Sequence, residues 1–177
     1  YAGEAAAHGL VLASARALGR AWVRRDWDAF AALFAPAVVS DDHRLLGFET
    51  RRGPEALTQS EQALVDLAPD VRTRIDHIRM SERGYLSEIL QHGTREGGAF
   101  ERSWLLVREL DERGKIQRSD QYDIDQLDQA CARVAAIGAS TASDPLAAYA
   151  KPNAATAALD RLQAAFEARD WAGVRAA

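Results

Sequence analysis

The sequence predicts an α+β domain, with helices toward both ends of the chain and a sheet between them. Of 36 alanines, 13 fall in residues 1–40, only 4 in residues 41–129 and 19 in residues 130–177. Alanine is the best helix former and is depleted in strands. The alanine-poor middle also alternates apolar and polar residues, and glycine-containing turn sequences interrupt it at intervals, as in a run of hairpin strands.

The composition excludes several other classes of protein. Hydrophobic residues make up 47% of the 177 residues, which excludes a disordered chain, a collagen and a disulfide-stapled miniprotein. The net charge of −4 argues against a dedicated nucleic-acid binder, which normally carries a basic face. No apolar run approaches the length of a membrane span. We therefore expect a cytoplasmic protein with no nucleic-acid or membrane partner.

Three helices are predicted in the N-terminal part of the chain, two before the first strand and one after it. Leu10 to Arg25 has apolar residues at helical spacing, and Asp26 is placed to cap a shorter second helix that ends at Pro36. A third helix runs from Glu55 to about Leu67, with Pro54 in its first turn. The positions expected to be buried are Leu10, Val11, Ala15, Leu18 and Trp22, then Phe30, Leu33 and Phe34, then Leu57, Leu64 and Leu67.

Five strands and a last helix complete the predicted domain. The first strand begins at Val38-Val39 and carries Asp41, Asp42 and His43. The turns Ser81–Gly84, Gly97-Gly98 and Asp111–Gly114 separate four further strands, which are Val71–Met80, Tyr85–Thr94, Phe100–Leu110 and Lys115–Tyr122. Asp125 is placed to cap a helix that runs to about Ile137, in which Cys131 is expected to be a small buried side chain.

The end of the chain carries a short internal repeat. Arg25-Asp26-Trp27 recurs 144 residues later as Arg169-Asp170-Trp171, and the same offset aligns Leu18 with Leu162, Trp22 with Phe166 and Phe30 with Val174. Chance similarity between two alanine-rich helices is the alternative to duplication. We predict one domain at 1–137, a Gly-, Ser- and Ala-rich linker at 138–153, and the truncated first helix of a second copy at 154–177. Both ends are therefore expected to be cut from a longer protein.

The order of elements resembles the NTF2-like, or cystatin-like, superfamily, and within it the SnoaL-like group. Residues 25–36, Arg-Asp-Trp-Asp-Ala-Phe-Ala-Ala-Leu-Phe-Ala-Pro, are similar to the hinge between the first two helices of that family. Residues 38–44, Val-Val-Ser-Asp-Asp-His-Arg, are similar to its first strand. The resemblance covers about residues 8–137. It implies a cone, in which a curved antiparallel sheet wraps around the N-terminal helices and encloses a pocket.

The resemblance implies two kinds of chemistry, which the residues support unequally. It places Asp41 where ketosteroid isomerases hold their base, but Leu18 and Leu106 where they hold oxyanion donors, so a steroid isomerase is not expected. A SnoaL-like cyclase would use an acid–base pair of Asp with His. Asp41 and His43 lie two residues apart in a strand and so share a face. The alternative is that both belong to a solvated corner at the rim of the sheet.

Candidate ligand-binding residues come from the strands and the first helix. Alternation in the last strand puts Ser119 and Gln121 on one face and Tyr122 on the other, and neither face is purely apolar. Which face lines the pocket stays open. The full candidate set is Trp22, His92, Trp104, Ser119, Gln121 and Tyr122.

Two functional hypotheses follow. The first is a non-catalytic domain, one of a tandem pair in a larger regulatory protein, which binds a small molecule or a partner domain and forms a homodimer or an intramolecular pseudo-dimer. The second is a SnoaL-like cyclase, isomerase or dehydratase that uses Asp41 and His43. No motif names a cofactor, and the histidines lack metal-ligand spacing, so neither a cofactor nor a metal is expected. The first hypothesis is preferred.

Overall fold

The computed structural model describes residues 8–137, all of which belong to one compact unit, Tyr1–Ser140. The elements, in chain order, are α1 (Gly9–Arg24), α2 (Trp27–Ala31), β1 (Phe34–Asp42), β2 (Arg51–Arg52), α3 (Gly53–Leu67), β3 (Arg72–Ser81), β4 (Gly84–Arg95), β5 (Gly98–Leu110), β6 (Ile116–Tyr122), a 3₁₀ turn (Ile124–Gln126) and α4 (Leu127–Ala136). The predicted linker at 138–153 and the predicted second copy at 154–177 lie outside the described residues.

The strands form one open, curved sheet in the order β2-β1-β6-β5-β4-β3. Antiparallel pairing joins β3 to β4, β4 to β5 and β5 to β6. β1 pairs antiparallel with the short β2 and parallel with β6, because the last strand returns to lie beside the first. The predicted fold class, a curved sheet around N-terminal helices, is confirmed, with β1 and β6 as the parallel pair of the described sheet.

The two faces of the sheet are covered by different helices. The inner face lies toward α1, α2 and α3, and its core contains Leu18, Trp22, Phe30, Phe34, Val38, Leu57 and Ile116. The outer face lies toward α4, and its core contains Leu86, Leu105, Val107, Tyr122, Ala130 and Val134, with a partly buried Cys131 packed against it. Side chains alternate between the faces along each strand. Each residue of β4 and β5, and of β6 from Arg118 onward, is therefore assigned to one face by its position. A register shift near the start of β6, between the partners of Glu109 and Leu110, interrupts the alternation and leaves Ile116 in the inner core.

The hinge between α1 and α2 forms as predicted. Arg25 has a left-handed backbone conformation, with φ of 56°, and its guanidinium donates a hydrogen bond to the carbonyl oxygen of Val71 over 2.8 Å. The Asp26 side chain caps α2 by accepting from the backbone N–H of Ala29 at 3.0 Å. Trp27 packs edge-on against Phe30, with ring centroids 6.0 Å apart.

The predicted role of Pro36 is wrong. α2 ends at Ala31, and Pro36 lies inside β1. Proline lacks the N–H that a strand donates to its neighbour, so it is confined to edges and irregular positions of a sheet. The register between β1 and β6 shifts between Phe34 and Val39. Pro36 occupies this irregular stretch, where no regular ladder bond is lost.

Three further details of the helices differ from the sequence predictions. Leu10 and Leu67 are 53% and 54% exposed instead of buried, because each lies near an end of its helix. The residue that caps the last helical segment is Asp123 and not Asp125. Asp123 forms a capping box with Gln126.

The outer face carries a buried carboxylate that joins three elements. Asp120 of β6 is 1% exposed and accepts hydrogen bonds from Arg118 Nε at 3.1 Å and from Arg133 Nε of α4 at 2.9 Å. His43 Nε2, just beyond β1, lies 3.0 Å from Asp120 Oδ1. Arg133 also bonds to Glu109 of β5. α4 is thus joined to β5 and β6 by charge as well as by apolar packing.

Burial raises the pKa of the Asp120 carboxyl, but the hydrogen bonds from Arg118 and His43 and the charge of Arg118 outweigh burial. The pKa of Asp120 therefore lies below its ordinary value. The folded-state pKa is below that of the unfolded chain, about 3.9. The resulting stabilisation is complete above that pH and is lost as the pH falls through the lower, folded-state pKa.

We expect Asp120→Asn to lower the free energy of unfolding at pH 7 by about 3 kcal/mol, since two guanidiniums lose a buried ionised acceptor. The variant should also lose less stability than the wild type between pH 5 and pH 2. Urea unfolding across this pH range measures both effects. Asp66→Asn, which changes an exposed carboxylate, should stay within about 0.5 kcal/mol of the wild type. Equal losses in the two variants would contradict this account of Asp120.

Candidate functional site

A cavity of ≈ 150 Å³ lies between the inner face of the sheet and helices α1, α2 and α3. Most of its wall is apolar and includes Leu18, Trp22, Phe34, Ile89, Trp104 and Leu106. A smaller polar part includes Ser40, Arg51, Glu61, Arg108, Ser119 and Gln121. An apolar concavity with a few polar groups is the usual form of a small-molecule site.

Glu61 is the carboxylate of this cavity wall among the described residues. Its Oε2 accepts a hydrogen bond from Trp22 Nε1 at 2.8 Å, which joins α3 to α1. The guanidinium of Arg25 stacks on Trp22, 4.0 Å from the ring centroid. Burial lowers the pKa of Arg25, and the charge of Glu61 opposes that effect. Glu61 therefore holds one wall of the cavity in place.

Four polar residues of the cavity form a single row across the sheet, here called the Arg–Ser row. Arg51 of β2 lies opposite Ser40 of β1, Ser40 lies opposite Ser119 of β6, and Ser119 lies opposite Arg108 of β5. Neighbouring strands are about 4.8 Å apart, so the two arginine backbones are separated by about 14 Å. The Arg–Ser row therefore places two serines between two long cationic side chains.

Arginines also surround Trp104, whose side chain lines the same cavity. The guanidinium carbons of Arg102 and Arg44 lie 5.2 and 5.8 Å from its ring centroid. Arg102 donates two hydrogen bonds to Gln91 Oε1, at 2.7 and 3.0 Å. Burial lowers the pKa of Arg102, and the charge of Arg44 lowers it further. Two guanidiniums therefore flank the Trp104 ring, and that of Arg44 is paired with Asp42 at 2.7 Å.

The structure brings four of the six predicted ligand-binding residues to the cavity. They are Trp22, Trp104, Ser119 and Gln121. Tyr122 does not line the cavity. It lies on the outer face, stacked on His43 with ring centroids 4.7 Å apart. His92 is exposed on β4 and does not line the cavity either. Alternation along β6 separates Ser119 and Gln121 from Tyr122, as predicted, and the structure shows which face is internal.

Asp41 and His43 share a face, as the strand spacing predicted, but that face is the outer one. Asp41 accepts from Arg118 Nη2 at 2.5 Å and from Thr50 at 2.7 Å. His43 contacts Asp120. In the described part of the chain, no hydrogen bond joins Asp41 to His43, and neither side chain lines the cavity. Ser40, one residue earlier, holds the inward position.

Several cavity residues were not identified from the sequence. Arg51, Glu61, Gln91 and Arg108 lie in the wall. The signal for Arg108 was present, because it is four residues from Trp104 and so shares its face of β5. Arg51 carried no such signal, since a strand as short as β2 has no readable alternation. Leu18 and Leu106, the positions that lack oxyanion donors, also line the cavity.

Two further observations concern the described residues as a whole. Among residues 8–137, no cluster of three or more His, Cys, Asp and Glu side chains is arranged to hold a metal ion. None of the helices in the same part of the chain is long and apolar enough to cross a membrane.

Comparison with known proteins identifies a matching family and similar folds. A family model described as a SnoaL-like domain matches residues 15–119. No curated protein matches the chain significantly.

Solved structures with a similar fold include three that cover most of the described chain. One is an LEH-like epoxide hydrolase from Mycobacterium tuberculosis, with 17% identity, a TM-score of 0.54, and 72% of this chain and 93% of that chain covered. AusH from Aspergillus nidulans has 15% identity and a TM-score of 0.56, with 67% and 94% covered. A cystatin-fold protein from Novosphingobium aromaticivorans has 16% identity and a TM-score of 0.54, with 62% and 95% covered. At these identities the likeness shows the fold alone.

We expect Glu61→Leu to lower the free energy of unfolding by about 2 kcal/mol, because the buried indole N–H of Trp22 loses its acceptor. Glu61→Gln is the matched control. It keeps a carbonyl oxygen at the same place and should cost less than about 1 kcal/mol. Urea unfolding followed by tryptophan fluorescence distinguishes the two. Equal losses would show that the bond to Trp22 does not stabilise the cavity wall.

Proposed function

The chain belongs to the SnoaL-like domain family, and on that premise we propose that this domain binds a compact small molecule in its inner cavity without transforming it. The observation that carries the proposal is the contrast between the two faces of the sheet. The inner face borders a largely apolar cavity, whereas the predicted acid–base pair, Asp41 and His43, is engaged on the outer face.

The size of the cavity supports a ligand of about one ring. An apolar protein cavity of roughly 150 Å³ holds a molecule such as benzene, and this cavity measures ≈ 150 Å³. Trp22, Trp104 and Leu106 supply large apolar surfaces for contact with a ring. Burial of apolar ligand surface is the main source of affinity in sites of this kind.

The ionisable groups at the cavity support binding more than acid–base catalysis. A general acid or base must lie within hydrogen-bond reach of the reacting atom. The described lining residues include no histidine. Their carboxylate, Glu61, is engaged with Trp22. The enzymatic alternative that uses Asp41 and His43 would require these side chains to reach a ligand through the sheet.

We expect toluene to bind saturably to the wild-type protein and Gly19→Leu to weaken this binding. Gly19 lines the cavity and is exposed at its edge, and a Cβ added there meets no atom within 4 Å. A side chain can therefore start at this position without a clash at its Cβ, and the leucine side chain is expected to cover the opening. It should also raise stability by up to about 1 kcal/mol, since glycine is a poor helix former.

The matched control for Gly19→Leu is Gly19→Ala, which gives a similar helix stabilisation with only one added carbon. Saturation-transfer NMR with toluene should give wild-type binding in Gly19→Ala and at least about fivefold weaker binding in Gly19→Leu, a loss of about 1 kcal/mol. Absence of toluene binding to the wild-type protein, or equal binding by both variants, would contradict the proposed site.

The double variant Asp41→Asn with His43→Gln tests the enzymatic alternative. Both side chains belong to the outer face, so we expect the double variant to bind toluene within about twofold of wild type. A partly exposed ion pair is lost with Asp41, which should cost no more than about 1 kcal/mol of stability. Loss of toluene binding with an unchanged circular dichroism spectrum would instead support a shared site for Asp41, His43 and the ligand.

A further inference from the structure

Three N–H donors of the cavity-lining side chains have no hydrogen-bond partner among the described residues. They are Arg51 Nε, Trp104 Nε1 and Arg108 Nε, and all three atoms are buried. The Trp104 residue is itself only 8% exposed. Buried polar groups in native proteins are almost always paired, because an unpaired one loses its bond to water without replacement. Three unpaired donors around one cavity indicate that an acceptor belongs there.

Three side-chain acceptors of the same cavity wall already accept hydrogen bonds from other groups of the protein. Gln91 Oε1 accepts from Arg102, and Glu61 Oε2 accepts from Trp22. Tyr85 Oη accepts from Arg108 Nη1 at 3.1 Å. Neither these side chains nor any other described group pairs with the three free donors, so a ligand atom is the natural partner.

Arg51 and Arg108 share one pattern, in which Nη1 donates a hydrogen bond and Nε has no partner. Arg51 donates from Nη1 to Ser60 Oγ at 2.5 Å, and Arg108 donates from Nη1 to Tyr85. In both, Nε is the unpaired atom. The Nε edge of a guanidinium is one that can bind a carboxylate with two parallel hydrogen bonds. Since Nη1 is held by the protein in each case, this edge is also fixed in orientation.

The charge of the wall favours an anion over a neutral acceptor. Among the described residues, the cavity wall has two guanidiniums, of Arg51 and Arg108, and one carboxylate, of Glu61. Two more guanidiniums, of Arg44 and Arg102, flank Trp104. Arg44 is paired with Asp42 at 2.7 Å, but Arg102 has a neutral acceptor in Gln91. A bound anion would offset this excess of positive charge in a partly desolvated place, where electrostatic attraction is strong.

We propose that the cavity binds a monocyclic carboxylate, of the size of benzoate, with its carboxylate group on the Arg–Ser row. The Nε edges of Arg51 and Arg108 and the hydroxyls of Ser40 and Ser119 form the anion site. The ring lies against the apolar wall, and the indole N–H of Trp104 serves a second acceptor on the ligand. This inference rests on the proposed ligand-binding function and names the class of ligand.

Three probes of similar size separate this inference from the proposed function. Benzoate carries the charge, benzamide has nearly the same shape without charge, and toluene has only the ring and a methyl group. We expect benzoate to bind about tenfold more tightly than benzamide or toluene, as charge-assisted hydrogen bonds predict. Its affinity should fall as salt is raised from 50 to 500 mM. Isothermal titration calorimetry and saturation-transfer NMR measure these affinities.

Variants locate the anion site. Arg51→Met and Arg108→Met should each weaken benzoate binding about tenfold and leave toluene binding within twofold of wild type. The control is Arg95→Met, a change at an exposed arginine of the β4–β5 hairpin, which should alter neither. Because Arg108 also bonds Tyr85, Arg51→Met is the decisive variant if Arg108→Met does not fold.

The outcomes are distinct. If toluene binds but benzoate binds no better than benzamide, the carboxylate inference is overturned and the proposed function stands. Benzoate binding that is unchanged in Arg51→Met and Arg108→Met also overturns the inference. If none of the three probes binds, both the inference and the proposed function fail.

Discussion

The hydrogen bonds of the buried Asp120 carboxylate determine which face of the last strand, β6, points toward α4 and which points toward the cavity. Asp120 is 1% exposed and meets Arg118 from its own strand, Arg133 from α4 and His43 from the end of β1. Side chains in a strand alternate between faces, so a shift of one residue would turn this carboxylate inward and Ser119 outward. The charge network on the outer face thus specifies which β6 side chains line the cavity on the inner face.

The charged groups of the outer face are paired with one another, whereas charged groups of the inner face are left available to a ligand. On the outer face, Arg118 is paired with Asp41 and Asp120, and Arg133 is paired with Asp120 and Glu109. On the inner face, Arg51 and Arg108 each retain an unpaired Nε. Removing one partner from such a buried ion-pair network is strongly destabilising, because it leaves an uncompensated buried charge. Unpaired cationic donors beside a cavity are features of a binding site.

Much of the fold could be predicted from the sequence because local signals dominate it. The cap at Asp26, the proline at the start of α3 and the turns between the strands all act within a few residues. Pro36 was misplaced because its setting is an irregular register between β1 and β6, strands that are far apart in sequence. Arg25 ends α1 and Asp26 caps α2, so the triplet Arg25-Asp26-Trp27 encodes a junction between two helices. The second copy, the tandem pair and the dimer stay predictions.

The candidate site was predicted less well, for a physical reason. Alternation showed that Ser119 and Gln121 share a face, but both faces of β6 are polar. Which face of β6 points outward depends on the contact between Asp120 and Arg133 of α4. The sequence patterns of β6 and α4, taken separately, do not reveal that contact. The same limit applies to Asp41 and His43. Their common face was evident from spacing, whereas its exclusion from the cavity follows from the pairing of β1 with β6.

The most direct test of the central claim, that the inner cavity is the ligand site, is the ¹⁵N–¹H NMR spectrum of the tryptophan side chains during titration with benzoate. The account predicts saturable shifts of the indole N–H signals of Trp104 and Trp22, assigned by Trp→Phe substitution, with little change in the imidazole signals of His43. Shifts at His43 with unmoved Trp104 and Trp22 indole signals would contradict it, because the ligand would then lie on the outer face.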